Sequence, residues 1–558
     1  MKKFIIVLLA FLLTGCNAVI SDAKASSSSF DLTIDSKDLD DSYSTLNSTT
    51  IELGDEDVYI KNQGTYILTG TMNNASVIVE TAKDKEVRIV LDNVTINSGD
   101  FASIYIIESD KVTLTLAKDS INTLSDSKEH TQIDDNDVDS VIFSKADLVI
   151  NGQGTLNVSS DIGHGIVSKD DLIVAGGTIN VTSKKQGISG KDTVKIHDGI
   201  LNITSGTDSI KSDNDEDEDR GFVYITGGTI NIDSEDDAIQ GYHLIQVDGG
   251  TININKSYEG LEAQYVVVNG GDLIINASDD GINAVDKSGS TEDDNTQVDQ
   301  GMRRPMMMVG STNAGLTING GSVYINASGD GIDSNGTATL NGGSLLIDGP
   351  VSGGDQAFDY ETGGYAYGSE TLCIGSSQMA ESFSEESTQC NLLYNLGNSY
   401  EANSEIVIYT EDKEIIFNHT SKKSFASILL TSSKIKQGDT ITIKINDDEY
   451  TYTFTNITNS EGQSGFGNPG QRGNMQPGEF SNMPGQDKNF DPSNMPERDE
   501  NFNPEDMRRP NEEFDFENRE RPDGEFTPPD MPEGFDPNTQ PPNEMMDRDF
   551  QNKDKNKK

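Results

Sequence analysis

Carboxylates recur at one turn of this chain. Asp236-Asp237-Ala238-Ile239 returns as Tyr258-Glu259-Gly260-Leu261, Asp279-Asp280-Gly281-Ile282 and Gly329-Asp330-Gly331-Ile332. If the copies stack, the residue two before the Ile or Leu forms a column: His164, Gln186, Asp208, Asp237, Glu259, Asp280, Asp330. The residue after it forms another: Val167, Ser189, Lys211, Gln240, Glu262, Asn283, Asp333. Strands in a sheet lie about 4.8 Å apart. Like charges at that spacing repel by about 3–4 kcal/mol at an effective dielectric of roughly 20. Such a row must be bathed in water or hold hard cations. Clustered carboxylate, amide and carbonyl oxygens are what Ca²⁺ takes. The candidate ligands are Asp208, Asp236, Asp237, Glu259, Glu262, Asp279, Asp280, Asp330 and Asp333. The competing reading is that Asp and Gly simply suit turns.

Catalytic groups are sparse. The histidines share no motif, and no Gly-x-Ser-x-Gly elbow occurs. Lys211, three residues after Asp208, is the one candidate base: a Lys beside a bound cation could take the proton α to a uronate carboxylate. The plainer reading is a Lys that neutralises its acidic neighbours. Asp134–Asp139 starts like an EF-hand loop, but Ser140 and Ala146 replace the required Gly and Glu. A loose ion site is all it could offer.

The elements that must position these residues are strands. Pairs ending at Gly177, Gly228, Gly250, Gly271, Gly321 and Gly343, with Asp198-Gly199 filling one gap, step mostly by about 22 residues. Acidic insert Asp213–Asp219 accounts for one long step. The step from Gly271 to Gly321 is expected to hold two turns and a Met-rich insert between about Asp286 and Asn313. A short aliphatic strand precedes each pair and another follows it, with a third at the acidic phrase. This suits one coil of a parallel β-helix and not a leucine-rich repeat or a sandwich. The fold expected is all-β: a right-handed parallel β-helix of about 22 residues per coil, with a small C-terminal β unit and a disordered tail.

Composition sets the rest. A formal net charge of −53 over 558 residues excludes nucleic acid and anionic lipid as bulk-charge partners and favours cations. Lys2-Lys3, an apolar run from Phe4 to Leu13 and Leu13-Thr14-Gly15-Cys16 resemble a lipoprotein signal, with Cys16 as the lipidated residue. The mature protein would then sit on the extracellular face of a bacterial cytoplasmic membrane, touching it only through the lipid. The expected domains are a signal peptide (1–15), a flexible spacer (16–50), the β-helix (51–375), a cap with a small β unit and room for a helix near 376–396 (376–459), and a disordered Pro/Asn/Met-rich tail (460–558). Cys373 and Cys390 could pair or stay free.

The stretch from Val141 to Leu156, with Gly227-Gly228-Thr229-Ile230-Asn231-Ile232, Glu259-Gly260-Leu261-Glu262-Ala263 and Asp279-Asp280-Gly281-Ile282-Asn283-Ala284, resembles a known family. That family is the calcium-containing, right-handed parallel β-helix carbohydrate-binding domain of cellulolytic clostridia, over about residues 50–375. The resemblance implies binding of cellulose-like or polygalacturonate-like polymers, and likeness to pectate lyases without established lyase activity. His164 and Gln186 stand where the family has Asp, so the metal face is expected from Asp208 onward. Trp is absent, which favours an anionic pectic polymer bridged by Ca²⁺ over crystalline cellulose. The expected function is non-catalytic, Ca²⁺-dependent polysaccharide binding by a monomer at the cell surface. A pectate-type lyase using Lys211, and an adhesin or structural spacer, are the alternatives.

Overall fold

The computed structural model describes residues 30–287 and 313–462. Residues 1–29, where the expected signal and Cys16 fall, the Met-rich insert and the chain beyond 462 lie outside the described residues. The chain divides into Met1–Met475 and Gln476–Lys558, and everything below concerns the first unit. Among the described residues the structure is all-β, with one four-residue helix, Ser36–Leu39. No described helix is long and apolar enough to cross a membrane.

Three parallel ladders organise the repeats. The strands at the acidic phrase form an 11-stranded sheet, in which His164–Ser168, Ile188–Gly190, Ile210–Ser212, Ile239–Gly241, Leu261–Ala263, Ile282–Ala284 and Ile332–Ser334 pair in order. The strands before and after each Gly-Gly form two further ladders within a 26-stranded sheet. Asp171–Val174, Thr193–Ile196 and Phe222–Ile225 belong to the first of these; Thr178–Ser183, Ile200–Ser205 and Thr229–Ser234 belong to the second.

Period-2 alternation in each strand sends one set of aliphatics inward. Ile166, Ile188, Ile210, Ile239, Leu261, Ile282 and Ile332 are each 1% exposed or less, and they share one core with Leu201, Ile230, Ile252 and their neighbours from the other ladders. Fully burying one such side chain is worth about 1.5–3 kcal/mol. Asparagines between the inward residues form a ladder of their own. Asn180, Asn202, Asn231 and Asn253 each donate to the amide oxygen of the Asn one repeat earlier, at 2.8–2.9 Å. The second Gly of each pair turns the corner with positive φ. At Gly250, φ is +96° and a Cβ would lie 3.0 Å from the Gly227 and Gly228 backbone, so any larger residue is strained there.

The structure departs from expectation in three places. The long step from Gly271 to Gly321 is a single rung and not two turns: Asp272–Ala277 pairs directly with Ser322–Ala327, and Tyr265–Val268 with Gly315–Ile318. The step's extra length falls between Ile282–Ala284, the last strand of one rung, and Gly315–Ile318, the first strand of the next, and the ladders on either side stay continuous.

The described part of the expected spacer is packed against the sheet. Phe30 and Leu32 cover Phe222, Leu244 and Val267, and Phe30 meets Phe222 edge-on at 5.4 Å. Buried Asp38 pairs with Lys111 at 2.9 Å, and Asn151 donates to the carbonyls of Asp38 and Asp40. A Ser- and Asp-rich composition concealed these anchors because the sheet supplies most of the apolar partners.

No helix forms near 376–396; Asn391–Tyr400 is a strand. Cys373 and Cys390 are both free and buried, in two different hydrophobic clusters.

The C-terminal β unit covers the last rung. Phe425–Thr431 pairs antiparallel with Glu370–Gly375 and with Asn391–Tyr400, which ends the parallel stacking and closes an edge. A separate four-stranded antiparallel sheet spans Glu405–Thr410, Ile415–Thr420, Thr440–Ile445 and Asp448–Thr453. Fully buried Asp348 ties the unit to the ladders, accepting from Tyr324 Oη at 2.7 Å, His419 Nε2 at 3.0 Å and the Lys422 amide at 3.1 Å.

Candidate acidic cation site

The ladder of short strands fixes the spacing of the acids. Val167, Ser189, Lys211, Gln240, Glu262, Asn283 and Asp333 are register neighbours, rung to rung. Their preceding carboxylates lie at the turn entering each rung. Three groups converge so that one oxygen of every member lies within 4.8 Å of the others: Asp208, Asp236 and Asp237; Asp237, Glu259 and Glu262; Asp280, Asp330 and Asp333. Eight of the nine sequence candidates are thus brought together. Asp279 stays outside these groups, with its carboxylate accepting the Tyr258 hydroxyl.

A glycine makes room for the last group. A Cβ on Gly329 would lie 2.4 Å from Asp280 Oδ1 and 2.6 Å from Asp279 Oδ1. The copy that begins with Gly instead of Asp therefore admits two carboxylates from the rung before it.

Burial and mutual repulsion set the protonation of the column. Burial, then Glu262, pushes Glu259 up to about 8. Burial, with neighbouring acids, raises Asp330 to about 8, Asp280 to about 7 and Asp333 to about 6. Asp237 and Glu262 move oppositely. Burial and a hydrogen bond to Glu262 raise Asp237. Burial also disfavours charge on Glu262, but the bond from Asp237, together with Lys287 and Gln240, outweighs it and lowers Glu262.

Two amide oxygens in this neighbourhood accept no hydrogen bond from the described residues: Asn283 Oδ1 and Gln356 Oε1. Gln356 is 6% exposed; its backbone N–H donates to Asp330 and its Nε2 to Asp359 at 2.9 Å. Asn283 Nδ2 donates to Glu259 at 3.1 Å. Carboxylates with unpartnered amide oxygens are the donor set of a hard divalent cation.

Lys211 sits in this column as a counter-ion. Its Nζ is 2.9 Å from Asp208 Oδ2. Burial disfavours its charge, but Asp208 more than compensates, and Lys211 is held above the usual lysine range. An ammonium so held is the wrong protonation state for a base at neutral pH. The Asp134–Asp139 run gathers no carboxylate triad among the described residues. Asp134 accepts from Tyr105 Oη, and Asp139 faces His164 and Lys185.

One convergent group escaped the sequence analysis: Asp170, Asp171 and Asp192 at another corner. Arg220 offsets part of its charge, lying 3.3 Å from Asp171 and 3.8 Å from Asp192. Its three acids are paired off in sequence by no repeated phrase, so only the stacking reveals them.

The described residues form parallel β ladders with acids lining one set of turns, and residues 54–302 match the family model described as carbohydrate-binding domain-containing protein. A carbohydrate-binding domain-containing protein of Acetivibrio thermocellus is 31% identical over 185 residues, which are 32% of this chain and 65% of that protein. The chain thus spans 65% of that relative's length. A solved structure of the polysaccharide lyase-like protein from C. thermocellum, a gadolinium derivative, is 32% identical, covers 40% of this chain and 92% of its own, and superposes with a TM-score of 0.35.

Proposed function

We propose that this chain binds an extracellular polysaccharide without cleaving it, through divalent cations, best Ca²⁺, held along the acidic column. The observation that carries this reading is the convergence of carboxylates from neighbouring rungs, beside Asn283 and Gln356, whose amide oxygens have no partner among the described residues. Without a cation, several of these acids must stay protonated near neutral pH; a bound cation removes that constraint. A polymer bearing carboxylates, such as a polygalacturonate, could complete the coordination of cations that the protein holds only partly. The match of residues 54–302 to a carbohydrate-binding domain family supports a carbohydrate ligand.

The three ladders are read as faces of a right-handed parallel β-helix. Each strand pairs parallel with its counterpart one repeat later, and parallel strands joined through a crossover are right-handed in nearly all sheets. Lipidation at Cys16 would hold this body at the outer face of a cytoplasmic membrane, displayed to polymer. Both belong to the proposal.

The test is co-sedimentation with polygalacturonate and with cellulose, in Ca²⁺ and in chelator, with absorbance monitored for unsaturated product. Binding that needs Ca²⁺ and yields no product is expected. Unsaturated product that vanishes in Lys211→Ala would replace this reading with a lyase. Failure to bind any glycan would leave an adhesin or spacer.

A further inference from the structure

On the two rungs before the acidic column, His164 and Gln186 stand in place of the column's carboxylates. A cavity of about 90 Å³ opens beside His164, Gln186 and Ser189, with Lys169 and Lys191 at its walls. It adjoins the acidic column directly, because Ser189 and Lys211 are register neighbours.

Its charges are arranged, not scattered. The Gln186 amide donates to His164 Nδ1 at 3.2 Å, which places the ring proton on Nε2, facing Asp139 at 3.1 Å. Asp139 also takes Lys185 at 3.2 Å. Burial disfavours the Asp139 charge, yet His164 and Lys185 outweigh it and hold the carboxyl down at about 2. Asp139 is therefore satisfied by groups of its own. Asp213, the other acid of the lining, also faces Lys211.

Two ammonium groups remain. Among the described residues Lys191 forms an ion pair with Glu216 alone, at 3.8 Å, with both side chains substantially exposed. Lys169 makes no ion pair among the described residues; it lies over the Phe143 ring at 5.4 Å. A cation–π contact of this kind holds an ammonium in place without neutralising it. The cavity has room for a few waters or one small anionic group.

We propose that this cavity is a metal-independent anion subsite that takes one carboxylate substituent of an acidic polysaccharide. That source of the ligand rests on the polysaccharide reading above. Replacing the column's acids with His164 and Gln186 removes two positions for a bridging cation and lets lysine meet the polymer directly. A chain laid along the ladder would then have one end read by ammonium groups and the remainder bridged by cations, which gives binding a polarity.

The experiment is a titration of the full chain, labelled at histidine Cε1, in chelator, with D-galacturonate, inorganic sulfate and glucose. The His164 resonance is assigned from a His164→Gln variant. A saturable shift with galacturonate, absent with glucose and weakened at least 10-fold by Lys169→Ala with Lys191→Ala, supports the proposal. No shift, an equal shift with glucose, or an unaltered response in the double variant overturns it. A response to sulfate without galacturonate overturns the carboxylate assignment. Polygalacturonate co-sedimentation separates this from the broader reading. If no polymer binds even in Ca²⁺, the polysaccharide function fails while the galacturonate titration still decides the cavity.

Discussion

Asp237 and Glu262, on adjacent rungs of the short-strand ladder, share a hydrogen bond in which Asp237 holds the proton and Glu262 the charge. Lys287 and Gln240 meet Glu262 from its other sides, Gln240 at 3.1 Å. Either that proton or a bound cation relieves the repulsion between the two carboxylates. Proton and cation therefore compete for the same oxygens.

Stability should fall as pH rises when cations are absent. Glu259, Asp280, Asp330 and Asp333 have folded values raised to about 8, 7, 8 and 6, above ordinary carboxylates. Between the unfolded and folded values the native state binds more protons, so its stability is fully present below the unfolded value and is lost as pH climbs through about 6–8. Thermal unfolding in chelator should show Tm higher at pH 5 than at pH 8. Excess Ca²⁺ should flatten the profile. A chelator profile that rises with pH would contradict this protonation scheme.

Removing two carboxylates from the last group should uncouple Ca²⁺ from stability there. In Asp280→Asn with Asp330→Asn, repulsion is relieved, so the chelated variant should be no less stable than the parent. The increment from added Ca²⁺ should shrink. A single site held at about 100 times its Kd contributes roughly 2.7 kcal/mol. Calorimetric titration would count the lost site; an unchanged stoichiometry would refute the assignment.

Gly329→Ala should weaken the same site by displacement. Its Cβ would press on Asp280 and Asp279 at 2.4 and 2.6 Å, moving the carboxylates without changing any charge. Ca²⁺ affinity should drop about 10-fold or more, equivalent to about 1.4 kcal/mol. Affinity within two-fold of the parent would show that the turn relaxes freely.

Asp348→Ala should loosen the C-terminal unit from the ladders. It leaves Tyr324 and His419 without their shared acceptor, at about 1–3 kcal/mol for an unsatisfied buried partner. Limited proteolysis should cut sooner between residues 400 and 425 than in the parent. Equal cutting rates would place the attachment elsewhere, in the strand pairing of Cys373 with Leu429 and its neighbours.

Ile239→Ala should cost about 2–5 kcal/mol, the range for emptying a buried aliphatic site. Equilibrium denaturation reads this directly, and a loss under 1 kcal/mol would mean that neighbouring rungs collapse into the gap.

By itself the sequence determined the strand triplets, the inward Ile and Leu, the glycine corners and the order of acids along the column. These follow from local periodicity: alternation selects the buried face, and identical turns repeat at one spacing. It could not determine that the 50-residue step from Gly271 to Gly321 is one rung, because an insert and an extra coil have the same length on paper. Nor did it reveal Asp38, Asn151 and Phe30 as anchors of the N-terminal segment, since their partners lie far along the chain. Tertiary structure alone decided which carboxylates share a proton and, among the described residues, which amide oxygens go unpartnered and that Lys169 makes no ion pair. Those properties depend on burial and on distances across rungs, and neither is written in the order of residues.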